Sequence, residues 1–288
     1  MTLSESKLHP PRARFDRVLV ASDASSYSAD AVEVAIAMCK KGNAALYAFN
    51  MVLSNPEYEA IAFELVQKAT KDAKIHLNSV VSRAAKQGVN CTPLMRLGDR
   101  PDVEILAAAA TVRAEVIVMG QRGLRGLARM MVGDATVKVI GAASCSVIAV
   151  PEGAGIWRKR IVLGTDGSKF AEAAAAVAGK IARDFEIPIT VVSALVPSHS
   201  ESRQRESRDA AKRTTASFKA QELDAEDVVL PGEADDVIIK VAQDSRADVV
   251  VLGTHGRTGF GKVLLGSVVE RVLSRSPCAV LVARSNDG

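Results

Sequence analysis

The chain contains an internal repeat, and this feature limits its possible fold more than any other. The segment Arg17–Ser25, "RVLVASDAS", reappears as "RIVLGTDGS" at Arg160–Ser168. In the same order, Ala114–Gly126, "AEVIVMGQRGLRG", reappears as "ADVVVLGTHGRTG" at Ala247–Gly259, and a short "CSVIAV" reappears as "CAVLVA". Two long copies predict two domains in one chain, because a solenoid is built from more numerous and shorter repeats.

Each copy alternates apolar runs with longer stretches that have helical spacing. Apolar strands that alternate with helices predict a parallel sheet covered on both faces. Because crossovers between parallel strands are right-handed, we expect each copy to be a doubly wound α/β domain. The longest expected helix covers Glu57–Gln87. The strands are expected at 17–21, 44–52, 89–97, 116–119 and 146–150 in copy one, and at 160–165, 189–195, 225–230, 248–252 and 279–283 in copy two.

The repeat also predicts boundaries along the chain. Residues 1–15 form a tail, 16–151 the first domain, 152–159 a linker with two glycines that directly follows Pro151, and 160–285 the second domain. Of the 288 residues 48% are hydrophobic, and the net charge is only +4, values typical of folded globular domains. The polar start and the lack of an apolar run of membrane-spanning length predict a cytoplasmic protein without a membrane partner.

Charge and cysteine content argue against several protein classes. The basic residues are scattered and the pI is about 8.9, so charge does not indicate nucleic-acid binding. The cysteines, Cys39, Cys91, Cys145 and Cys278, form no C-x-x-C pair and have no histidine at metal-ligand spacing. We therefore expect reduced, mostly buried thiols and no metal site. The charge-dense segment 198–213 is either a basic contact surface or the solvated face of a helix.

A glycine-rich stretch, "VLGTHGRTGFGKVLLGS", follows an apolar strand at residues 251–267. Gly256–Lys262 fits the G-x-x-x-x-G-K part of a phosphate loop, but Val263 stands where that motif requires Ser or Thr. A dinucleotide fingerprint would need G-x-G-x-x-G at the first strand–helix turn, and the sequence there is "TDGSKF". Neither familiar phosphate-binding motif is therefore complete.

A different spacing in the same stretch is more informative. Gly253 and Gly256 are followed, after nine residues, by Gly266 and Ser267. This last pair precedes an expected helix at 268–274, and the unpaired N–H groups at a helix N-terminus attract anions. A small residue and a hydroxyl at that point suit a phosphate, and the nine-residue spacer can arch over a ligand as a flap.

Two residues near this motif also have a purely structural interpretation. Ser267 and Glu270 fit a capping box, and Asp134 would cap the equivalent helix of copy one equally well. Asp166, at the end of the first strand of copy two, could cap the helix that begins near Ser168. Helix capping would explain both Ser267 in copy two and Asp134 in copy one, whereas phosphate binding would explain only Ser267.

Together these features resemble a tandem universal stress protein. The strand end "GTDGS", the block "ADVVVLGTHGRTG", the G-x-x-G-(x9)-G-S spacing and the closing "SPCAVLVAR" match the pattern of that family over Arg17–Arg284. The resemblance implies two tandem, doubly wound, parallel five-stranded sheets of the adenine nucleotide alpha hydrolase type. It also implies that they pack as an internal pseudo-dimer, with the strand at 279–283 pairing with that at 146–150, and that two chains form a homodimer.

The resemblance further implies that copy two binds ATP, alone or with Mg²⁺. Asp166 and Ala194 would line the adenosine side, while the glycine motif and Ser267 would hold the ribose and the phosphates. We assign no catalytic residue, because no nucleophile, general base and oxyanion donors can be assembled from the sequence. The nucleotide-binding residues implied in this way are Gly164, Asp166, Ala194, Leu252, Gly253, His255, Gly256, Gly266, Ser267 and Val268.

Copy one departs from the motif at its last position. Asp134 stands where copy two has Ser267, and its carboxylate would repel a polyphosphate. Phe49 is expected at the position of Ala194, where its ring would fill the space for adenine. We therefore expect copy one to bind ATP weakly or not at all. The degenerate equivalents in copy one are Asp23, Gly120, Gly123, Gly133 and Asp134.

Three functions stay open on this basis. The leading hypothesis is a stress-associated protein that binds adenine nucleotides and acts as a sensor or regulator. The second is a slow ATPase or autophosphorylating protein that uses His255, Ser267 and Asp166 near a triphosphate. The third is a ligand-free stress scaffold in which the glycine loops are only turns.

Overall fold

The structure, a computed structural model, describes most of the chain: residue 13 and residues 15–121, 134–256 and 265–284. By their internal contacts the described residues divide into two compact units. The N-terminal unit contains Phe15–Ile156 together with Leu273–Leu281, and the C-terminal unit contains Trp157–Val272 and the residues from Val282 onward. A short segment near the end of the chain is therefore part of the unit formed by the first copy.

The N-terminal unit alternates strands and helices as the sequence predicts. Its strands lie in the order β3-β2-β1-β4-β5, with β10 beside β5, so the expected pairing of the last strand is confirmed. The pairs β1–β2, β1–β4, β2–β3 and β4–β5 are parallel. The elements are β1 (Arg17–Ala21), α1 (Ser26–Gly42), β2 (Ala45–Leu53), α2 (Pro56–Ile61), α3 (Phe63–Lys86), β3 (Cys91–Gly98), α4 (Pro101–Val112), β4 (Val116–Gln121), α5 (Asp134–Ala142), β5 (Ser146–Pro151) and, from the end of the chain, β10 (Ala279–Ala283).

The C-terminal unit repeats this arrangement. Its strands lie in the order β9-β6-β7-β8, and the pairs β6–β7, β6–β9 and β7–β8 are parallel. The predicted α/β class with parallel sheets is confirmed in both units. The elements are β6 (Ile161–Gly164), α6 (Lys169–Phe185), β7 (Ile189–Leu195), α7 (Glu201–Lys219), β8 (Ala225–Pro231), α8 (Ala234–Asp244), β9 (Val249–Gly253) and α9 (Ser267–Arg275).

Strands and helices form where burial and capping favour them. Every residue of β6 and β10 is buried, as expected for apolar strands covered on both faces of a parallel sheet. Helix α6 begins after Ser168, whose Oγ accepts a hydrogen bond from Ala171 N at 3.2 Å. Helix α7 begins in the same way after Ser200, whose Oγ accepts from Arg203 N at 3.3 Å. Both caps satisfy N–H groups that the helix itself leaves unpaired.

The prediction of one helix over Glu57–Gln87 is wrong, because this segment forms two helices. Ala62 separates α2 from α3 with φ −127° and ψ 34°, outside the helical region. Helical spacing continues across this residue in the sequence, so periodicity alone does not indicate the break. The end of the segment is as expected, since Gly88 adopts φ +76° just beyond α3.

The strand order determines where each unit can hold a ligand. In an open parallel sheet, ligands bind at the carboxyl ends of the strands, where the order of winding reverses. In the N-terminal unit this switch point lies between β1 and β4, and in the C-terminal unit it lies between β6 and β9. The residues that follow these strands are therefore the ones to examine for a site.

Candidate functional site

A cavity of about 570 Å³ opens at the switch point of the C-terminal unit, at the ends of β6 and β9. This volume is in the range of small-molecule sites in proteins, about 300–1,000 Å³. The cavity is lined by residues from separate segments of the sequence, so only the fold brings them together. It includes all ten residues implied by the family resemblance: Gly164, Asp166, Ala194, Leu252, Gly253, His255, Gly256, Gly266, Ser267 and Val268.

Asp166 follows β6 and shapes the first turn of the cavity wall. Its Oδ1 accepts a hydrogen bond from Ser168 N at 3.0 Å, and Gly167 completes the turn with φ +74°. Because Ser168 is the residue that caps α6, the alternative in which Asp166 caps this helix is wrong. Asp166 instead orders the turn before the cap and remains beside the cavity.

Two glycines of the motif have structural reasons to lack a side chain. A Cβ on Gly253 would lie 2.5 Å from the carbonyl oxygen of Phe170, at the start of α6. A Cβ on Gly256 would lie 2.9 Å from Asp166 Oδ2. Both distances are shorter than real Cβ contacts. Packing against the backbone of α6 therefore requires a glycine at 253, whether or not a ligand also approaches it, whereas at Gly256 the neighbouring atom is the end of a side chain.

The start of α9 forms one end of the cavity. Gly266 N donates to Thr254 O at 3.0 Å, and Glu270 N donates to Gly266 O at 3.1 Å. The second bond makes Gly266 the N-cap and Ser267 the first helical residue, so the predicted capping box of Ser267 and Glu270 is wrong. Ser267 is exposed, and its hydroxyl forms no hydrogen bond within the described part of the chain. The start of α9 and this hydroxyl therefore line one end of the cavity.

An ion pair joins the wall of the cavity to the neighbouring helix. Arg271 Nε, one turn into α9, lies 2.9 Å from Asp235 Oδ1 in the first turn of α8, and the Asp235 side chain is only 4% exposed. The equivalent positions of the N-terminal unit carry Asp102 and Lys138. Burial raises the pKa of Asp102, but its hydrogen bond to Arg100 and the charges of Arg100 and Lys138 outweigh this and lower the pKa. Both units therefore place an acid on this helix opposite a cation.

Sequence reasoning missed one wall of the cavity, which the segment 198–213 supplies. His199, Arg203 and Ser207 line the cavity. Arg203 and Ser207 are four residues apart on one face of α7, and His199 lies just before the N-cap Ser200. The sequence predicts a contact surface or a solvated helix face for this segment, because spacing alone does not show which face of a helix will meet a cavity. The other lining residues that were missed are Thr165, Ala171, Val192, Ser193, Val196, Ser198, Glu233, Ala234, Ile238, Val269 and Arg271.

His255 is held against the start of α6. Its ring lies on Phe170, with the ring centroids 5.3 Å apart and the planes tilted by 49°. Lys169 Nζ lies 5.3 Å from the centroid of the same phenyl ring. The contact positions the loop after β9 at the cavity edge. Residues 257–264, with most of the nine-residue spacer and Lys262 of the phosphate-loop alternative, lie outside the described residues.

The N-terminal unit keeps the first half of the motif. Asp23 Oδ1 accepts from Ser25 Oγ at 2.5 Å and from Ser25 N at 3.1 Å. Burial raises the pKa of Asp23, but hydrogen bonds from Ser25 and Ser28 together lower it below its usual value. A Cβ on Gly120 would lie 2.3 Å from a backbone oxygen of α1, which matches the packing at Gly253. Gly123, Gly133 and the side chain of Asp134 lie outside what the structure describes.

The prediction that Phe49 corresponds to Ala194 is wrong. In the strand register, Phe49 pairs with Ala21 and Val192 pairs with Gly164, so Phe49 is the equivalent of Val192. The error is two residues along the strand, which keeps the side chain on the same face of the sheet. Phe49 is 2% exposed, and Val192 lines the cavity of the C-terminal unit. The phenyl ring therefore occupies space next to the switch point, although at a different position from that expected.

Polar side chains also fill the switch point of the N-terminal unit. Ser22, directly after β1, has its Oγ 2.8 Å from Nε2 of His76 on α3 and 2.9 Å from Ser28 Oγ. Burial lowers the pKa of His76, the charge of Arg83 lowers it further, and Asp23 opposes both effects. The side chain of His76 is thus hydrogen-bonded at the end of β1. In the C-terminal unit the equivalent strand is β6, and its end lines the cavity.

The family model of universal stress proteins matches the chain twice, over residues 14–151 and 158–284. The chain belongs to the universal stress protein family. This membership confirms the tandem arrangement that the internal repeat predicts. The two matched segments together account for most of the chain, so the repeat and the family pattern describe the same residues.

Several proteins of known sequence or structure that are similar to this chain are named universal stress proteins. One from Methanocaldococcus jannaschii is 31% identical over 139 residues, which are 44% of this chain and 82% of the relative. One from Bacillus subtilis is 29% identical over 147 residues, which are 47% of this chain and 99% of the relative. A solved universal stress protein from Archaeoglobus fulgidus superposes with a TM-score of 0.74 at 18% identity. The match covers 94% of this chain and 98% of the solved chain, and at this identity it supports only the fold.

Two further observations concern the described residues as a whole. None of the described helices has both the length and the apolar character needed to cross a bilayer. No group of three or more His, Cys, Asp or Glu side chains in the same residues could hold a metal ion. Within the described residues the cysteines form no disulfide, and Cys39, Cys145 and Cys278 are buried, as predicted.

Proposed function

We propose that this universal stress protein binds an adenine nucleotide such as ATP in the cavity of its C-terminal unit and acts as a stress-associated sensor or regulator. One observation carries the proposal. The ten residues that the family pattern implies for nucleotide binding, drawn from separate segments, all line one cavity of about 570 Å³. Family membership supports the association with stress.

The chemistry of the cavity suits a nucleotide. Its inner wall is apolar where Val192, Leu252 and Ile238 line it, which favours a planar base over bulk water. At the other end, the first turn of α9 offers backbone N–H groups and the Ser267 hydroxyl to a phosphate. Asp166 lies between these regions along the sheet, where a carboxylate can accept hydrogen bonds from ribose hydroxyls.

The N-terminal unit is proposed to bind nucleotide weakly or not at all. The buried ring of Phe49 and the bond between His76 and Ser22 take up space at its switch point. Helix α5 begins at Asp134, at the repeat position of Ser267, so the sequence places a carboxylate where a phosphate would bind. We therefore expect one nucleotide per chain.

Calorimetric titration with ATP tests this function in matched variants. Ser267→Asp copies the N-terminal unit, and Ser202→Asp adds the same charge at an exposed serine in the first turn of α7 that does not itself line the cavity. Two like charges about 5 Å apart cost about 3 kcal/mol at an intermediate dielectric constant. Wild type and Ser202→Asp should bind one ATP per chain, and Ser267→Asp should bind at least 100-fold more weakly.

Three results would contradict the proposal. Wild-type protein that binds no ATP at millimolar concentration would exclude the function. Two sites of similar affinity per chain would exclude the asymmetry between the units. Equal affinity in wild type and Ser267→Asp would exclude the start of α9 as the phosphate site. The homodimer and a role for Mg²⁺ stay predictions, and a metal would here depend on the phosphates of the nucleotide for much of its coordination.

A further inference from the structure

The α7 side of the cavity contains polar side chains without partners. Ser193 at the end of β7 is 3% exposed, and Ser207 on α7 is 7% exposed. Both line the cavity, and neither hydroxyl forms a hydrogen bond within the described residues. A ligand or water in the cavity can therefore form hydrogen bonds with these two hydroxyls. Two of them on one wall point to a polar subsite.

Arg203 lies one helical turn before Ser207 on the same face of α7. It lines the cavity and is half-buried, and its guanidinium forms no ion pair or hydrogen bond within the described part of the chain. This contrasts with Arg271 on the opposite wall, which is paired with Asp235. A guanidinium stays protonated in proteins and therefore always donates hydrogen bonds, and its flat face also stacks on aromatic rings.

These residues lie far from the phosphate end of the cavity. Gly266 N is bonded to Thr254 O, which places the start of α9 next to the end of β9. Ser193 belongs to β7, and α7 packs on β7 and β8. Since β9 and β7 are separated by β6, the two ends are about 10 Å apart across the sheet. A nucleotide with its phosphate at α9 would therefore place its base on the α7 side.

We propose that Arg203, Ser193 and Ser207 form a base-recognition subsite, in which Arg203 is a specificity-determining residue for the purine of the bound nucleotide. The inference rests on the proposed function and extends it to residues outside the glycine motif. A serine hydroxyl can accept a hydrogen bond from the exocyclic amino group of adenine. The Arg203 guanidinium can donate to a ring nitrogen or stack on the ring. The phosphates bind elsewhere, so Arg203 contributes to binding only when a base is present.

This dependence on the base can be measured with two ligands and four proteins. The ligands are ATP and ribose 5-triphosphate, which has the phosphates and the ribose but no base. The proteins are wild type, Arg203→Met, Ser267→Asp and the control Arg205→Met, which removes an exposed cation two residues away on α7. Calorimetry gives the affinities, and circular dichroism checks that each variant keeps its helices.

The two ligands should separate the roles of the two ends. Arg203→Met should weaken ATP binding about tenfold or more and leave binding of ribose 5-triphosphate unchanged, because a charge-assisted contact to the base is lost. Ser267→Asp should weaken binding of both ligands. Arg205→Met should resemble wild type, because its side chain does not line the cavity.

Two outcomes would overturn the subsite. Unchanged ATP affinity in Arg203→Met would show that Arg203 does not contact the nucleotide. An equal loss for ATP and ribose 5-triphosphate would show that Arg203 binds the ribose or the phosphates, or acts through the general charge of the cavity. Both differ from failure of the proposed function itself, in which wild-type protein would bind no ATP.

Discussion

Replacing Gly253 with alanine should destabilise the nucleotide-free protein, because the space for a Cβ is already filled. An ideal Cβ there would lie 2.5 Å from the carbonyl oxygen of Phe170, 2.6 Å from its carbonyl carbon and 2.8 Å from its Cβ. The first two are backbone atoms near the start of α6. They can move away only if the helix shifts relative to β9.

The expected loss is the cost of overpacking, reduced by the lower chain entropy of the unfolded alanine variant. Forcing extra volume into a packed site costs about 1–3 kcal/mol, and a backbone neighbour favours the upper part of that range. Alanine also lowers the conformational entropy of the unfolded chain relative to glycine, and this stabilises the folded variant by about 0.4–1 kcal/mol. The free energy of unfolding of the C-terminal unit should therefore fall by about 2 kcal/mol, and its Tm by about 5–10 °C.

Trp157 fluorescence provides the assay, because Trp157 is the one tryptophan of the chain and lies in the C-terminal unit. It is 2% exposed and packs on Phe185 with ring centroids 5.2 Å apart, so its fluorescence should report unfolding of this unit. Gly155→Ala is the matched control, since a Cβ there would meet no atom within 4 Å. An unchanged fluorescence midpoint in Gly253→Ala, with weaker ATP binding, would refute the packing argument and leave ligand approach as the reason for this glycine.

Two further predictions concern groups with shifted pKa values. Burial, with a smaller effect from Cys91, raises the pKa of Cys39 to about 12, so iodoacetamide at pH 8 should not label Cys39 until the protein unfolds. Labelling of native Cys39 at the rate of an exposed thiol, measured by peptide mass spectrometry, would contradict this. For His76, burial and Arg83 lower the pKa below 6.5, so the unfolded chain binds a proton more readily and stability should fall as the pH drops below about 6.5. NMR titration should show the lowered pKa of His76, and hydrogen exchange in α3 should show the loss of stability at low pH. His76→Gln should remove that pH dependence. A pKa of the His76 ring at or above 6.5 would contradict the prediction.

Much of the fold could be predicted from the sequence because its signals are local. The repeat, the apolar runs and their alternation with helices predicted parallel α/β sheets, and β7 and β10 have the predicted bounds of 189–195 and 279–283. The same method failed at Ala62, because helical spacing of side chains continues through a residue whose backbone is not helical. Periodicity describes which side chains share a face, and it contains no information about a single pair of dihedral angles.

The ten implied cavity residues could be named from the sequence because they belong to a motif with fixed spacing. Arg203 and Ser207 could not, because nothing in a charge-dense helix shows which face will meet a cavity until that helix is packed on β7. The strand register likewise decided that Phe49 corresponds to Val192. By itself, the sequence determined the order of the elements, the glycine motif and the difference between Ser267 and Asp134. Tertiary structure decided which side chains meet, because contacts between distant segments depend on register and helix rotation rather than on neighbouring residues.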